Sequence, residues 1–317
     1  MNAQLAIPLT GPIDSDTKDE LLLRLWGSAN RTKEDIRFDI ISKIQQDKER
    51  PNLQQDVSQQ LGGFVPNANN SIDGSLNLCS RLLIMMTIGE PPLGIDGPST
   101  IRWDTGTLRE FTEKYFGPES GVRLQPDKPQ IGQIFTALNL RKIGGMRIQW
   151  TRNLADHLRL VDDDKTVSIF DCVAFLKFQR KVHRQMFPPG FVDETLRTLS
   201  LIIPQNDSKT QEWMKLQIEE EGLDPLLTEC GSLATQERRF ENFSYWNNRL
   251  VILKQALDEA RPQTLSQWWF DRRNGVQWYT FWVAILVFLV TIFFGLVQSL
   301  EGALQVWLSW KALEQAG

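Results

Sequence analysis

The residues best suited to proton-transfer chemistry are Asp156 and His157, adjacent in sequence and followed at close range by Asp162, Asp163 and Asp164. A carboxylate beside an imidazole can orient it as an acid or base, and a group of carboxylates can hold a cation. An enzyme centred on Asp156, His157 and this acidic stretch is therefore one reading of the chain. A plainer reading competes with it. Adjacent side chains on a strand or helix point in different directions, and acids in a turn are ordinarily solvated. A second group, Lys177, Lys181 and Arg184, falls at i, i+4 and i+7 with Arg180 nearby, which gives one helix a basic face that suits anionic headgroups.

Beyond these, the signatures of cofactor chemistry are missing. The chain has no phosphate-cradling GxxxxGK[ST] loop, no GxGxxG turn, no HExxH pair, no GxSxG elbow and no CxxC pair. No cofactor is expected. With only two histidines a histidine-rich metal site is excluded, so no metal is expected either. A net charge of −4 gives no reason to expect nucleic acid as a partner. Three widely spaced cysteines, Cys79, Cys172 and Cys230, suit free thiols in a reducing compartment better than a disulfide framework.

The elements that would position these residues read as an α+β fold, mostly helical with a small antiparallel sheet, followed by a single C-terminal transmembrane helix. Residues 1–14 form a flexible lead-in. In the helical segment 15–74, Thr17–Glu20 and Thr32–Asp35 fit capping boxes, and Ile36, Ile40, Ile41 and Ile44 make one apolar stripe that Pro51 should end. Leu53, Val57 and Leu61 continue at helical spacing before a Gly and Asn-rich loop over 62–74. The domain 75–263 then opens on the apolar run 75–88. A short strand is expected at 101–103, a helix capped by Asp104 or Thr105 and ending at Phe116, and a further helix over 131–143. Met146–Thr151 alternates as a strand, and 158–161 with 167–170 bracket the acidic turn as a β-hairpin. Helices are expected over 174–186, 209–221 and 236–260, with 199–203 as a short apolar stretch between them. In the last of these, Phe243, Trp246, Leu250, Leu253 and Leu257 are spaced as an a/d row for packing within the domain.

After a juxtamembrane linker at 264–277 comes Trp278–Leu300, twenty-three residues without a charge. At 1.5 Å per residue this run reaches about 34 Å, enough to cross a hydrocarbon core of about 30 Å. Trp268, Trp269, Trp278, Tyr279 and Trp282 crowd one end, and Trp307 and Trp310 mark the other, as interfacial aromatic belts do. Gly295, Ser299 and Gly302 are small residues close to one stripe, a surface suited to self-association. Residues 301–317 form a short amphipathic tail. The partner expected on these grounds is the lipid bilayer, with another protein or a second copy as a further partner. The N-terminus lacks a basic region leading into a long apolar run, so a tail-anchored topology with the bulk in the cytosol is expected. Arg261, Arg272 and Arg273 before the span agree with it. The length of the span leans toward the endoplasmic reticulum or another endomembrane.

Three blocks carry a family resemblance: Phe135–Leu160, Tyr245–Ile285 and Leu289–Trp307, of which the WWFDRRN to GALQ portion is the most specific. Together they resemble a lineage-restricted family of uncharacterised filamentous-fungal proteins that share a cytosol-facing α+β region and one C-terminal span. The resemblance covers most of the chain after residue 72. It implies the architecture and the topology, and it carries no activity or site residue onto these positions.

Four N-x-[ST] triplets begin at Asn30, Asn69, Asn206 and Asn242. With the bulk on the cytosolic side all four stay bare, so glycosidase treatment of the native protein leaves its gel mobility unchanged.

Overall fold

The computed structural model describes residues 41–60, 68–89, 99–117, 124, 129–182, 185–260 and 275–316. The lead-in, both N-terminal capping boxes, Arg184, Trp268 and Trp269 lie outside the described residues. The chain divides into two compact units, one made of residues up to Arg141 together with Met146–Glu259, the other of Lys142–Gly145 and the chain from Ala260 onward.

In the first unit, helix α1 (Arg50–Gln60) starts where the sequence suggested a stop. Pro51 is its second residue, where the missing N–H has no partner to lose, and the helical turn before it ends instead at Asp47, whose φ is +55°. Helix α2 (Ala68–Ile84) takes up the second half of the expected 62–74 loop, so Asn69, Asn70 and Gly74 are helical and the boundary at 74 falls inside an element. The reason is tertiary. Arg50, 6% exposed, donates to Asn77 Oδ1 and Asp73 Oδ1, both at 2.9 Å, and Gln54 donates to Asp73 at 2.6 Å. These bonds fasten α1 to α2 and outweigh the weak helix propensity of asparagine and glycine.

Helix α3 (Leu108–Phe116) is capped by Thr107 rather than Asp104 or Thr105, because Glu110 three residues on completes a reciprocal capping box. Helix α4 (Ala137–Lys142) is shorter than the expected 131–143. The chain before it is held elsewhere, since the Ile131 amide donates to Arg238 O at 2.8 Å and the Phe240 amide donates to Pro129 O at 3.0 Å. At 101–103 only an isolated bridge forms, Ile88 to Ile101.

The sheet has three strands, β1 (Arg147–Thr151), β2 (Arg159–Val161) and β3 (Thr166–Phe170), in the order β1-β3-β2. β2 and β3 form the expected antiparallel hairpin, and β1 lies parallel to β3, so the sheet is mixed. β3 occupies the middle and is buried along its whole length, with Thr166 and Ser168 enclosed along with Val167 and Ile169. Helix α5 (Val173–Lys181) follows, then α6 (Phe191–Ile202), α7 (Ser208–Glu221) and α8 (Asn247–Glu259). α6 was legible only as the stretch 199–203. Its buried Phe191, Thr195, Thr198, Leu199 and Ile202 repeat at helical spacing, but the threonines interrupt the apolar pattern. The helix expected from 236 begins only at Asn247. Phe243 and Trp246 precede it, yet with Leu250, Leu253 and Leu257 they form the buried row expected of them.

The delay has an identifiable cause. The Glu194 carboxylate, on α6 and 7% exposed, accepts hydrogen bonds from three successive backbone amides, Ser244 at 2.8 Å, Tyr245 at 2.7 Å and Trp246 at 2.9 Å. Those amides point at α6. Phe191, one turn away, stacks with Phe187 at 5.2 Å and lies 4.1 Å from Phe116 and 5.5 Å from Trp246, so the same junction is also the aromatic centre of the core.

The second unit contains one long helix, α9 (Gly275–Ala316), of 42 residues. It absorbs the end of the expected linker, the whole span and the expected tail in a single run. Glu194→Ala removes the acceptor of three amides, the Trp246 amide buried, and should lower the stability of the body by about 3 kcal/mol, read from urea unfolding of a chain ended at Ala260.

Candidate functional site

Asp156 ends a 3₁₀ turn, Leu154–Asp156, that the Asn153 side chain caps by accepting from the Ala155 amide. Both Asp156 oxygens are committed. Oδ1 accepts from the Ser99 amide at 3.0 Å and from Arg159 at 3.1 Å, and Oδ2 accepts from Asn153 Nδ2 at 2.8 Å. Asn153 in turn accepts from the Thr87 amide and donates to Ser99 O. This is a buried polar knot that ties Thr87 and Ser99 to the turn after β1. Its side chains point away from the imidazole next door.

His157 is fully buried. Its Nδ1 accepts from the Phe170 amide at 3.2 Å, which leaves the proton on Nε2, and Nε2 donates to Thr198 Oγ1 at 2.7 Å. Thr198 passes its own proton to Thr195 O at 2.7 Å. Neither ring nitrogen is left over to take or give a proton, so the geometry makes this imidazole a wedge between β3 and α6. Trp246 stands edge-on to the ring with centroids 4.8 Å apart and donates from its indole to Thr195 Oγ1 at 2.9 Å. Arg249 lies over Trp246 and donates to the carbonyls of Ala155 and His157. Burial first, and the Arg249 charge second, pull His157 from its ordinary 6.5 down to about 3. Thr195, Thr198 and Arg249 were not singled out from sequence, and Trp246 was read only as a member of the a/d row. The available signal was Thr195 and Thr198 at i, i+3 on an otherwise apolar helix face.

The acidic residues do not join this arrangement. Asp162, Asp163 and Asp164 form the exposed tip of the hairpin with φ of +56°, +51° and +63°, and β2 separates them from His157. Asp162 accepts from the Thr166 hydroxyl at 2.8 Å, which stabilises the turn. Among the described residues no group of three metal-ligating side chains converges. The basic face is smaller than expected. α5 ends at Lys181, Lys177 pairs with Glu229 at 3.7 Å and Arg180 with Asp193 at 3.9 Å, while Lys181 is exposed. All three cysteines are free, and burial pushes each thiol up to about 12. Such thiols are unreactive.

A cleft of about 350 Å³ opens between α6 and the start of α7, with Gln133, Ile134, Asn206, Asp207, Leu233 and Arg238 on its walls. The Arg238 Nε is buried there without a hydrogen-bond partner among the described residues, and Asp207 lines the same cleft.

Most of the exposed large apolar side chains among the described residues lie on α9. Trp278–Lys311, 34 residues whose most apolar 18-residue stretch has a mean hydropathy of 2.6, is long and apolar enough to cross a membrane, and none of that stretch is buried. Trp278, Tyr279 and Trp282 lie near its beginning and Trp307 and Trp310 near its end, all on one continuous helix. From Trp282 to Trp307 the rise is about 37 Å, a spacing that would match the two headgroup levels around a core of about 30 Å. Gly295, Ser299 and Gly302 are exposed along it. Comparisons with family models, with curated proteins and with solved structures give no match.

Because His157 is neutral in the fold and would take up a proton in the unfolded chain below 6.5, its contribution to stability is complete above pH 6.5 and declines as pH falls toward 3. The urea midpoint of the body should therefore drop between pH 7 and pH 5, and His157→Asn should flatten that slope while lowering the midpoint at pH 7.

Proposed function

We propose that this protein is a single-pass, tail-anchored interaction module: α9 crosses the bilayer once, and the α+β body works at the cytosolic face against a protein partner. The observation that carries the reading is α9, whose most apolar 18-residue stretch is wholly unburied among the described residues. An apolar helix of that size in water exposes far more contiguous apolar surface than soluble proteins tolerate, and a bilayer removes it from water.

The cytosolic orientation is supported by three free thiols and by Arg272 and Arg273 ahead of the helix. An endomembrane location and kinship with the filamentous-fungal family belong to the same proposal, carried by the length of the span and by the WWFDRRN to GALQ block. An interaction role is favoured over catalysis because the two candidate catalytic residues are spent on the core. Asp156 and His157 each have their polar atoms engaged within the fold. The exposed Phe178 beside Lys181 on α5 offers the body one apolar contact point.

Alkaline carbonate washing of membranes should leave the intact chain in the pellet, whereas a chain ended at Ala260 should appear in the supernatant. Protease added to sealed microsomes should digest the body. Release of the intact chain by carbonate sinks the membrane reading, and a protected body sinks the orientation.

A further inference from the structure

Read at heptad spacing, the far half of α9 carries two columns that share one face. Thr291, Gln298 and Gln305 are seven residues apart, and so are Gly295, Gly302 and Ser309, the two columns interleaving at steps of 4 and 3. Such a row stays on one side of a helix through about five turns, as the a and d positions of a coiled coil do. Every position in it is small or polar, while the remainder of the helix over the same stretch is dominated by Leu, Val, Ile, Phe and Trp. Ser299 falls to the side of this row, so the surface differs from the Gly295, Ser299 and Gly302 stripe read from sequence.

Nothing among the described residues accounts for that row. A Cβ added at Gly295 or at Gly302 would meet nothing within 4 Å, and neither glycine has a positive φ. Glycine weakens a helix interior relative to alanine, and here the space it leaves is turned outward. Thr291 and Ser309 return their hydroxyls to carbonyls of their own helix at 2.8 Å. Gln298 and Gln305 make no side-chain hydrogen bond among the described residues. Gln298 lies well inside the level of Trp307, where a primary amide facing acyl chains without a partner is costly, while Gln305, two residues from Trp307, lies at that interface.

We infer that this seam is the contact between two copies of the chain, packed in parallel as a left-handed pair within the bilayer. The inference rests on the reading that α9 crosses a membrane. A second copy inserted the same way brings each seam residue opposite its own counterpart at the same depth. Gln298 then meets Gln298 and Gln305 meets Gln305. A primary amide is donor and acceptor at once, so identical amides satisfy each other. Gly295 and Gly302 let the backbones approach closely enough for these bonds. Glu301 sits just outside the seam at the position before Gly302, and in a parallel pair the two copies of such a flanking residue lie on opposite edges, so their charges do not face each other.

Oxidative cross-linking of the full chain in native membranes tests this. Thr291→Cys and Gln298→Cys lie on the seam, Leu300→Cys and Leu304→Cys on the far side, and the unsubstituted chain gives the baseline for the native thiols. The seam positions should yield a species of twice the 36.5 kDa chain mass at about five times the far-side level or more, and adding Gly302→Leu to Gln298→Cys should remove it. Equal yields around the helix, or a seam adduct of another mass, overturn the pairing while leaving the anchor intact. Carbonate extraction run on the same variants separates the failures, because a chain that washes out overturns the membrane-spanning reading and the pairing with it.

Discussion

The body of this protein depends on a buried carboxylate that acts as a fastener for backbone. Glu194 takes the amides of Ser244, Tyr245 and Trp246 together, which fixes where α8 begins and how it sits on α6. Three charge-assisted bonds are enough to hold a carboxylate away from water, and they satisfy amides that precede a helix and would otherwise be stranded. With that turn fixed, Trp246 is aimed into the core between His157 and Phe191, and Arg249 is carried over its face to reach the carbonyls of the 3₁₀ turn. The sheet, the aromatic centre and the last helix of the body meet through this one acid.

Around it, polar residues bind elements together in places where an apolar core alone would leave the register open. Asp156 and Asn153 tie the chain at Ser99 to the turn after β1, and His157 joins β3 to α6 with both ring nitrogens in use. Arg50 does the same for α1 and α2, with Trp103 beneath its guanidinium at 5.0 Å. Satisfied buried networks of this kind specify a unique arrangement, since any slip leaves a donor or charge unpaired. They also explain how Asp156 and His157 come to be held within the fold. Their hydrogen-bonding capacity is consumed by the fold.

The hairpin, the strand at β1, α7 and the buried Phe243 to Leu257 row were legible in the sequence because each is a short-range pattern: alternation, a turn rich in acids, or 3.6-residue spacing. The long apolar helix was legible from hydropathy alone. What could not be read depended on distant partners. α2 extends through Asn69 and Gly74 because Arg50 reaches across to Asp73 and Asn77, and α8 starts late because Glu194, some fifty positions earlier, claims the amides before it. Parallel pairing of β1 with β3 is equally invisible locally, since it follows from the hairpin placing β3 in the middle. The candidate pair Asp156 and His157 was visible by residue type, but only burial and hydrogen-bond partners reveal that the two side chains serve different neighbours.

The length of α9 has one more consequence. Its charge-free run, Trp278–Leu300, rises about 34 Å, a few Å more than the hydrocarbon depth of an ordinary bilayer. Set in a bilayer, a rod with that margin would lean instead of being expelled, meeting thinner or thicker lipid by changing its tilt at a cost of only fractions of a kcal/mol per Å. Its fit would therefore tolerate differences of thickness, and transit between membranes of different depth would alter its angle and not its grip.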